Sequence, residues 1–133
     1  MAYVATYDAK DNAVIVDGVY ITGFGEDMTS FEKEEDMFTT SVGAQGDVVT
    51  SETNNDLGNA TITIQRTSPS KAYLFSLAKR KEPFPIWRIN KKLGERVGGT
   101  MARLVTYPEL ADSAEVGDLE FGFKIFDYTV EAL

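Results

Sequence analysis

Short runs of β-branched and aromatic residues recur along the chain, alternating with polar residues and separated by Gly, Asn and Asp. A period of two places every second side chain on one face. That is the pattern of half-buried strands, whose backbone hydrogen bonds must be met by neighbouring strands. "AVIVDGVYI", Ala13 to Ile21, is the sharpest case. Two runs flank Asp17-Gly18, a pair suited to a type I′ turn because both central residues need positive φ. "ATITIQR", Ala60 to Arg66, alternates with Ile62 and Ile64 on one face. "PIWRIN" sets Ile86, Arg88 and Asn90 against Trp87 and Ile89, and a basic turn, "KKLGERVGG", leads into "TMARLVTY". After the loop-like "PELADSAEVGD", the run "LEFGFKIFDYTV" puts Leu119, Phe121, Phe123 and Ile125 on one side and then shifts phase to Phe126, Tyr128 and Val130. Either a bulge near Ile125 or Phe126 or a change of neighbouring strand accounts for the shift.

One stretch has a helical period instead. Ser68-Pro69 reads as an N-cap and first helical residue, and Tyr73, Leu74, Leu77 and Ala78 fall on one stripe. Lys79, Arg80 and Lys81 are expected in the last turn, and "EPFP" ends the helix. Seven or eight strands with one helix predict a mainly β fold, an antiparallel sandwich or barrel with one flanking α-helix. At 133 residues and 43% apolar content, the expectation is one domain over 1–133 with its own core.

The glycine-broken "GFGEDM" precedes a strand expected from about Thr29 to Phe38. A strand this acidic cannot be buried on both faces, so it presents carboxylates to water or to a water-filled space. On one face it would carry Glu32, Glu34 and Asp36. Ser41 to Asn59 then reads "SVGAQGDVVTSETNNDLGN", a long polar stretch for a small domain. Two β-prone arms, Thr39–Val42 and Asp47–Ser51, flank Gly43-Ala44-Gln45-Gly46, and "ETNNDLGN" follows as loop. With only Val42, Val48 and Val49 to bury, the hairpin either needs a partner surface for its stability or stays mobile.

The chain has no Cys and no His. That removes disulfides, thiolate nucleophiles, imidazole bases and the usual zinc and copper ligands. A carboxylate-only hydrolase would need two acids held about 5 to 10 Å apart in a cleft, and no pair is marked. The expectation is no enzyme and no cofactor. No run approaches the roughly 18 to 20 apolar residues of a membrane span, and "MAYVATYDAK" lacks a signal-peptide pattern, so the chain reads as made in the cytoplasm with no membrane partner.

Thirteen bases against 21 acids give a net charge of −8, which disfavours binding along a phosphate backbone. The charges are unevenly placed: residues 1–66 hold 12 acids and three bases, residues 67–133 nine acids and 10 bases. The acidic focus is Glu26 to Asp36, and the basic focus runs from Lys79 to Arg103 with Arg88, Lys91, Lys92 and Arg96 at its centre. Either both are solvated or mutually neutralised within one subunit, or each meets its opposite on a neighbouring copy, head to tail.

Taken in order, "VDGVYITGFG", "FTTSVGAQGDVVTSETNNDLGNATITIQRTSPSKAYLFSL" and "FGFKIFDYTV" resemble the small tail-tube proteins of contractile-tailed bacteriophages over nearly the whole chain. The resemblance implies a phage tail-tube fold assembling as hexameric rings that stack into the inner tail tube conducting phage DNA into the host. It implies a virion protein made in the host bacterial cytoplasm. Its implied partners are other copies of itself, a tail sheath, baseplate and tail terminator proteins and a tape-measure protein, with DNA only transiently in the lumen. It also implies an acidic lumen, for which Glu32, Glu34 and Asp36 are the candidates, and a protruding hairpin or loop at about 42–59 that reaches another subunit or ring. Val42, Gly43, Ala44, Gln45, Gly46, Asp47, Asn54, Asn55 and Asp56 are its candidate contacts. Arg88, Lys91, Lys92 and Arg96 are candidates for a basic interface. A type VI secretion or bacteriocin tube shares the same logic. A monomeric small-ligand-binding β-barrel, with Trp87 and the last strand lining a cavity, is the alternative from a different class.

Overall fold

The computed structural model describes residue 2 and residues 4–133; Met1 and Tyr3, within the N-terminal segment read above, lie outside the described residues. A 3₁₀ turn at Ala9–Asp11 leads into ten strands: β1 Ala13–Val16, β2 Val19–Tyr20, β3 Phe24–Lys33, β4 Phe38–Val42, β5 Val48–Glu52, β6 Gly58–Ile64, β7 Phe84–Asn90, β8 Glu95–Leu104, β9 Leu119–Ile125 and β10 Thr129–Ala132. The helix α1, Lys71–Leu77, lies between β6 and β7. Eight strands form one sheet in the order β2-β1-β7-β8-β9-β6-β3, with β10 also on β8, while β4 and β5 pair only with each other. Every pairing is antiparallel.

The expected alternation becomes the core. Ala60, Ile62 and Ile64 of β6 and Leu119, Phe121, Phe123 and Ile125 of β9 are buried, together with Val14 and Val16 of β1 and Phe84 and Ile86 of β7. β1 and β6 are far apart in the strand order yet share one hydrophobic cluster, so the sheet curls over itself into the sandwich-like barrel the pattern predicts. Leu74 and Leu77 of α1 complete the cluster. Phe84 meets Phe123 edge-on at 6.1 Å and Phe75 meets Phe121 at 5.5 Å. Asp17 and Gly18 take φ 52 and 78, as a type I′ turn requires. Gly98, at φ 147, lies so close to the carbonyl of Ile86 that a Cβ would collide with it.

Several local expectations are corrected. The acidic strand does not run from Thr29 to Phe38. β3 starts at Phe24, with an irregularity between Phe24 and Thr29, and ends at Lys33. It stops there because its partner β6 begins at Gly58, opposite Lys33, and the Glu34 N–H to Leu57 carbonyl bond at 3.0 Å lies just past that pair. Ser68 does not cap the helix. Its hydroxyl donates to the carbonyl of Thr22, and Ser70 Oγ accepts from the Thr22 N–H, so both serines fasten the helix start to the sheet. The helix begins two residues after Pro69 and ends before Lys79, so Lys79 to Lys81 follow it instead of filling its last turn. Only Lys91 to Gly94 form the basic turn, since Glu95 already belongs to β8.

The phase shift after Ile125 is a break between β9 and β10 over Phe126 to Tyr128. β9 lies between β6 and β8, whereas β10 continues along β8 alone. Asp127 holds the break: its carboxylate accepts from the Thr100 hydroxyl and N–H and from the Met101 N–H at 3.0 Å. Burial opposes charge on Asp127, but these bonds outweigh it and hold the carboxyl below its ordinary range.

Candidate functional site

The hairpin is the first surface without a role inside the subunit. Its register runs from Phe38 opposite Glu52 to Val42 opposite Val48, and all ten strand residues are exposed. The tip closes through Gly43 N–H to the Asp47 carbonyl at 2.8 Å and Gly46 N–H to the Gly43 carbonyl at 3.0 Å, with Gly46 at φ 92. Cross-strand partners share a face, so Phe38, Val42 and Val48 lie on one side with Thr40 and Thr50, apolar toward the tip and closed at its base by Glu52 opposite Phe38. Val42, Gly43, Ala44, Gln45, Gly46 and Asp47 therefore make the exposed end of an arm.

Asn54, Asn55 and Asp56 do not belong to that arm, which runs from Phe38 to Glu52 and not over 42–59. Asn55 Oδ1 accepts from the Leu57 N–H at 2.9 Å, and its carbonyl accepts from Lys33 Nζ at 2.9 Å. The Asp56 carbonyl accepts from the Tyr128 N–H at 3.0 Å. These ties return the chain to the sheet. Phe38, 53% exposed, is the hairpin residue the sequence reading left out of the apolar set; its place just before Thr39-Thr40 was the available signal.

The second surface is the outward side of β3, β6, β9 and the end of β8. Phe31, Ala60, Phe123 and Leu104 form a cross-strand row facing the core. One residue along each strand lies the opposite row, Glu32, Asn59, Lys124 and Arg103, facing away from the core. Glu32 is exposed and in no ion pair among the described residues. Glu34 and Asp36 do not share its strand face, because both lie beyond the end of β3 in the bend before β4. Glu34 instead bonds Lys124 Nζ at 2.6 Å. Lys124 was not singled out from sequence, and Arg103 was named only as the end of the basic focus. Their alternation against Phe123 and Leu104 shows that they point outward, but only the register puts them in line with Glu32.

The basic candidates separate. Arg88 pairs with Glu95 at 2.9 Å, Arg96 with Glu131 at 2.7 Å, and Lys92 approaches Asp11 at 3.5 Å. Arg96 also lies over the Trp87 ring at 4.2 Å. Lys91 is exposed and enters no ion pair among the described residues. No pair links the basic focus to Glu26–Asp36 among the described residues.

A groove of about 620 Å³ is lined by residues of β3, β7, β8 and β10 and the segments beside them, among them Phe31, Arg88, Leu93, Glu95 and Tyr128. Trp87 does not line it, and Phe121 and Phe123 are packed in the core, so the aromatic cage of a small-ligand barrel is not formed. Burial, and then the nearby Glu32, push the Tyr128 phenol above its ordinary range against the opposing pull of Arg88. Among the described residues no acidic cluster is placed to hold a metal ion, and no helix is long and apolar enough to cross a membrane.

The fold has counterparts among solved structures. The chain is similar to the sheath/tube terminator of an extracellular contractile injection system, PVC, in its extended state, with TM-score 0.70 and 14% identity over 98% of this chain and 100% of that one. It is similar to the anti-feeding prophage cap, the AFP tube terminating cap, with TM-score 0.68 and 14% identity over 100% and 95% of the two chains. It is also similar to a chain of the PVC sheath-tube complex, with TM-score 0.70 and 15% identity over 96% and 93%. At these identities the likeness shows the fold. No curated protein matches the sequence. Residues 5–84, more than half of the chain, match the family described as Bacteriophage PhiTE tail tube protein. An antiparallel sheet curled around one core, an arm with no place in that core, and this match together establish that the chain belongs to the Bacteriophage PhiTE tail tube protein family and has a structural role in a tail tube.

Proposed function

We propose that this chain, as one domain over residues 1–133, is the repeating subunit of an inner tail tube, in which hexameric rings stack around a lumen that conducts phage DNA into the host. The observation that carries the reading is the hairpin. Its ten exposed strand residues include an apolar side that covers nothing in its own subunit. Such an arm stabilises an assembly by packing on another copy, and a contact between two different surfaces of one molecule propagates as a ring or a filament. Val42 to Asp47 are its contact residues between rings.

The outward face, on which Glu32 and, at its margin, Glu34 and Asp36 stand beside Lys124 and Arg103, faces the lumen; Glu34 pairs with Lys124, and Glu32 and Asp36 are the carboxylates that keep DNA phosphates from lodging on the wall. Lys91 and Lys92, exposed at the turn before β8, face the sheath on the tube exterior. A tape-measure protein occupies the lumen during assembly, and baseplate and tail terminator proteins close the ends. The subunit is made in the host bacterial cytoplasm and ends in the virion, acting without catalysis or cofactor. A tube that delivers no genome is the second reading, supported by the likeness to contractile injection system chains.

Negative-stain electron microscopy of the concentrated protein, beside its mass from light scattering, tests the proposal. Rings or tubes with a central hole are expected. A particle of one-chain mass at every concentration, with no rings, counts against it.

A further inference from the structure

We infer that the Asp17-Gly18 turn is a site of spontaneous isoaspartate formation, and that Tyr73 and Arg80 hold the Asp17 carboxylate away from the reaction. The inference stands whether or not the chain assembles. In an Asp-Gly pair the glycine nitrogen can attack the aspartate Cγ, because no side chain on the glycine shields that nitrogen. An N–Cγ bond forms and a Cγ–O bond breaks. The oxygen leaves as water with the amide proton and the proton that the carboxylate takes up from solvent. Water then opens the resulting succinimide. Entry at Cγ restores aspartate, and entry at the main-chain carbonyl carbon gives isoaspartate, whose backbone runs through Cβ and Cγ.

The chain holds one Asp-Gly pair and no Asn-Gly. It is the two-residue connection between β1 and β2, with both residues at positive φ. The space about Gly18 is open, so no packed neighbour stands over the turn. The Asp17 side chain, however, is held by groups from elsewhere. Its Oδ2 accepts from the Tyr73 phenol at 3.2 Å and from the Arg80 guanidinium, 56 and 63 residues along the chain. The Arg80 bond is charge-assisted and partly shielded from water. Burial, and then the Asp17 charge, push the Tyr73 phenol above its ordinary range against the opposing pull of Arg80, so it remains a donor. Cyclisation needs Cγ to swing over the Gly18 nitrogen by rotation about Cα–Cβ, which breaks both bonds. The Asp17 N–H, bonded to the Pro85 carbonyl at 2.8 Å, fixes the backbone before the turn.

Isoaspartate lengthens the main chain of a turn whose length sets the register, Ile15 opposite Tyr20 and Val16 opposite Val19. Val16 is fully buried, so the damage reaches the core.

Ageing the full-length protein at physiological temperature and pH tests the proposal, with isoaspartate at position 17 followed by peptide mapping and isoaspartyl methyltransferase labelling. Wild-type protein is expected to isomerise far more slowly than a free peptide of Ala13 to Ile21. R80Q and Y73F, each folded by circular dichroism, are expected to accumulate isoaspartate at Asp17 severalfold faster than wild type. D127A, destabilised at a distant site, is expected to keep the wild-type rate at position 17, which separates the hold on the carboxylate from a general loss of stability. A peptide-like rate in the wild type, a wild-type rate in either R80Q or Y73F, or the same acceleration in D127A would overturn it.

Discussion

Asp127 is the residue on which the path of the last strand turns. Its carboxylate accepts bonds from Thr100 and Met101 where β9 gives way to β10, and those bonds hold its pKa below the ordinary carboxylate value. A depressed folded pKa contributes stability that is present above the unfolded value of about 3.9 and is lost as pH falls through the folded value. D127A is expected to cost about 2 kcal/mol at neutral pH, measured by urea unfolding, because two backbone donors lose a charged acceptor. The wild-type advantage should shrink as the pH is lowered below about 4. An advantage that stays constant down to pH 2 would show that the carboxylate charge is not what holds the break. The phase shift in "LEFGFKIFDYTV" revealed that something happens near Phe126, but not the clamp, because Thr100 and Met101 are 26 or more residues distant in the chain.

At the scale of elements, the hairpin separates fold from assembly. Its strands bury nothing in the subunit, so replacing Thr39–Ser51 with a short glycine turn should change stability by less than about 0.5 kcal/mol in urea unfolding. The same variant should form no stacked tubes in micrographs. A loss above about 2 kcal/mol would place the arm within the subunit's own fold. The cut spares Asn55 and Asp56, whose backbone bonds to Lys33 and Tyr128 belong to the sheet. The elements were legible where period and turn chemistry agreed, as at Asp17-Gly18, Ile62-Ile64 and Phe121-Phe123. They were misjudged where a long-range partner decided the boundary. β3 ends where β6 begins, and Ser68 is drawn from the cap position to Thr22, 46 residues earlier.

For the whole molecule, one hydrophobic cluster reaches from β1 to β9 and includes the helix. The one-domain proposal therefore predicts a single calorimetric unfolding transition whose calorimetric and van't Hoff enthalpies agree. Two resolved transitions would refute it. At this scale the charge pattern also acquires a meaning that composition could not supply. Among the described residues no ion pair joins the acidic and basic foci: Arg88, Lys92 and Arg96 find acids outside Glu26–Asp36. Two of the charges left unpaired among the described residues, Glu32 and Arg103, stand at opposite ends of one cross-strand row.

Alternation, turn residues and the lack of Cys and His determined by themselves that this chain folds as an antiparallel β structure with one helix and without the usual catalytic side chains, since each is a property of neighbouring positions or of composition. Register, edges and the exposure of the arm were decided only by the tertiary structure. They depend on which distant strands meet, and a two-residue period is the same for every pairing that keeps the apolar face inward. Glu32 and Arg103 were both visible as charges in the chain. That they close the two ends of one row is a consequence of four strands lying side by side.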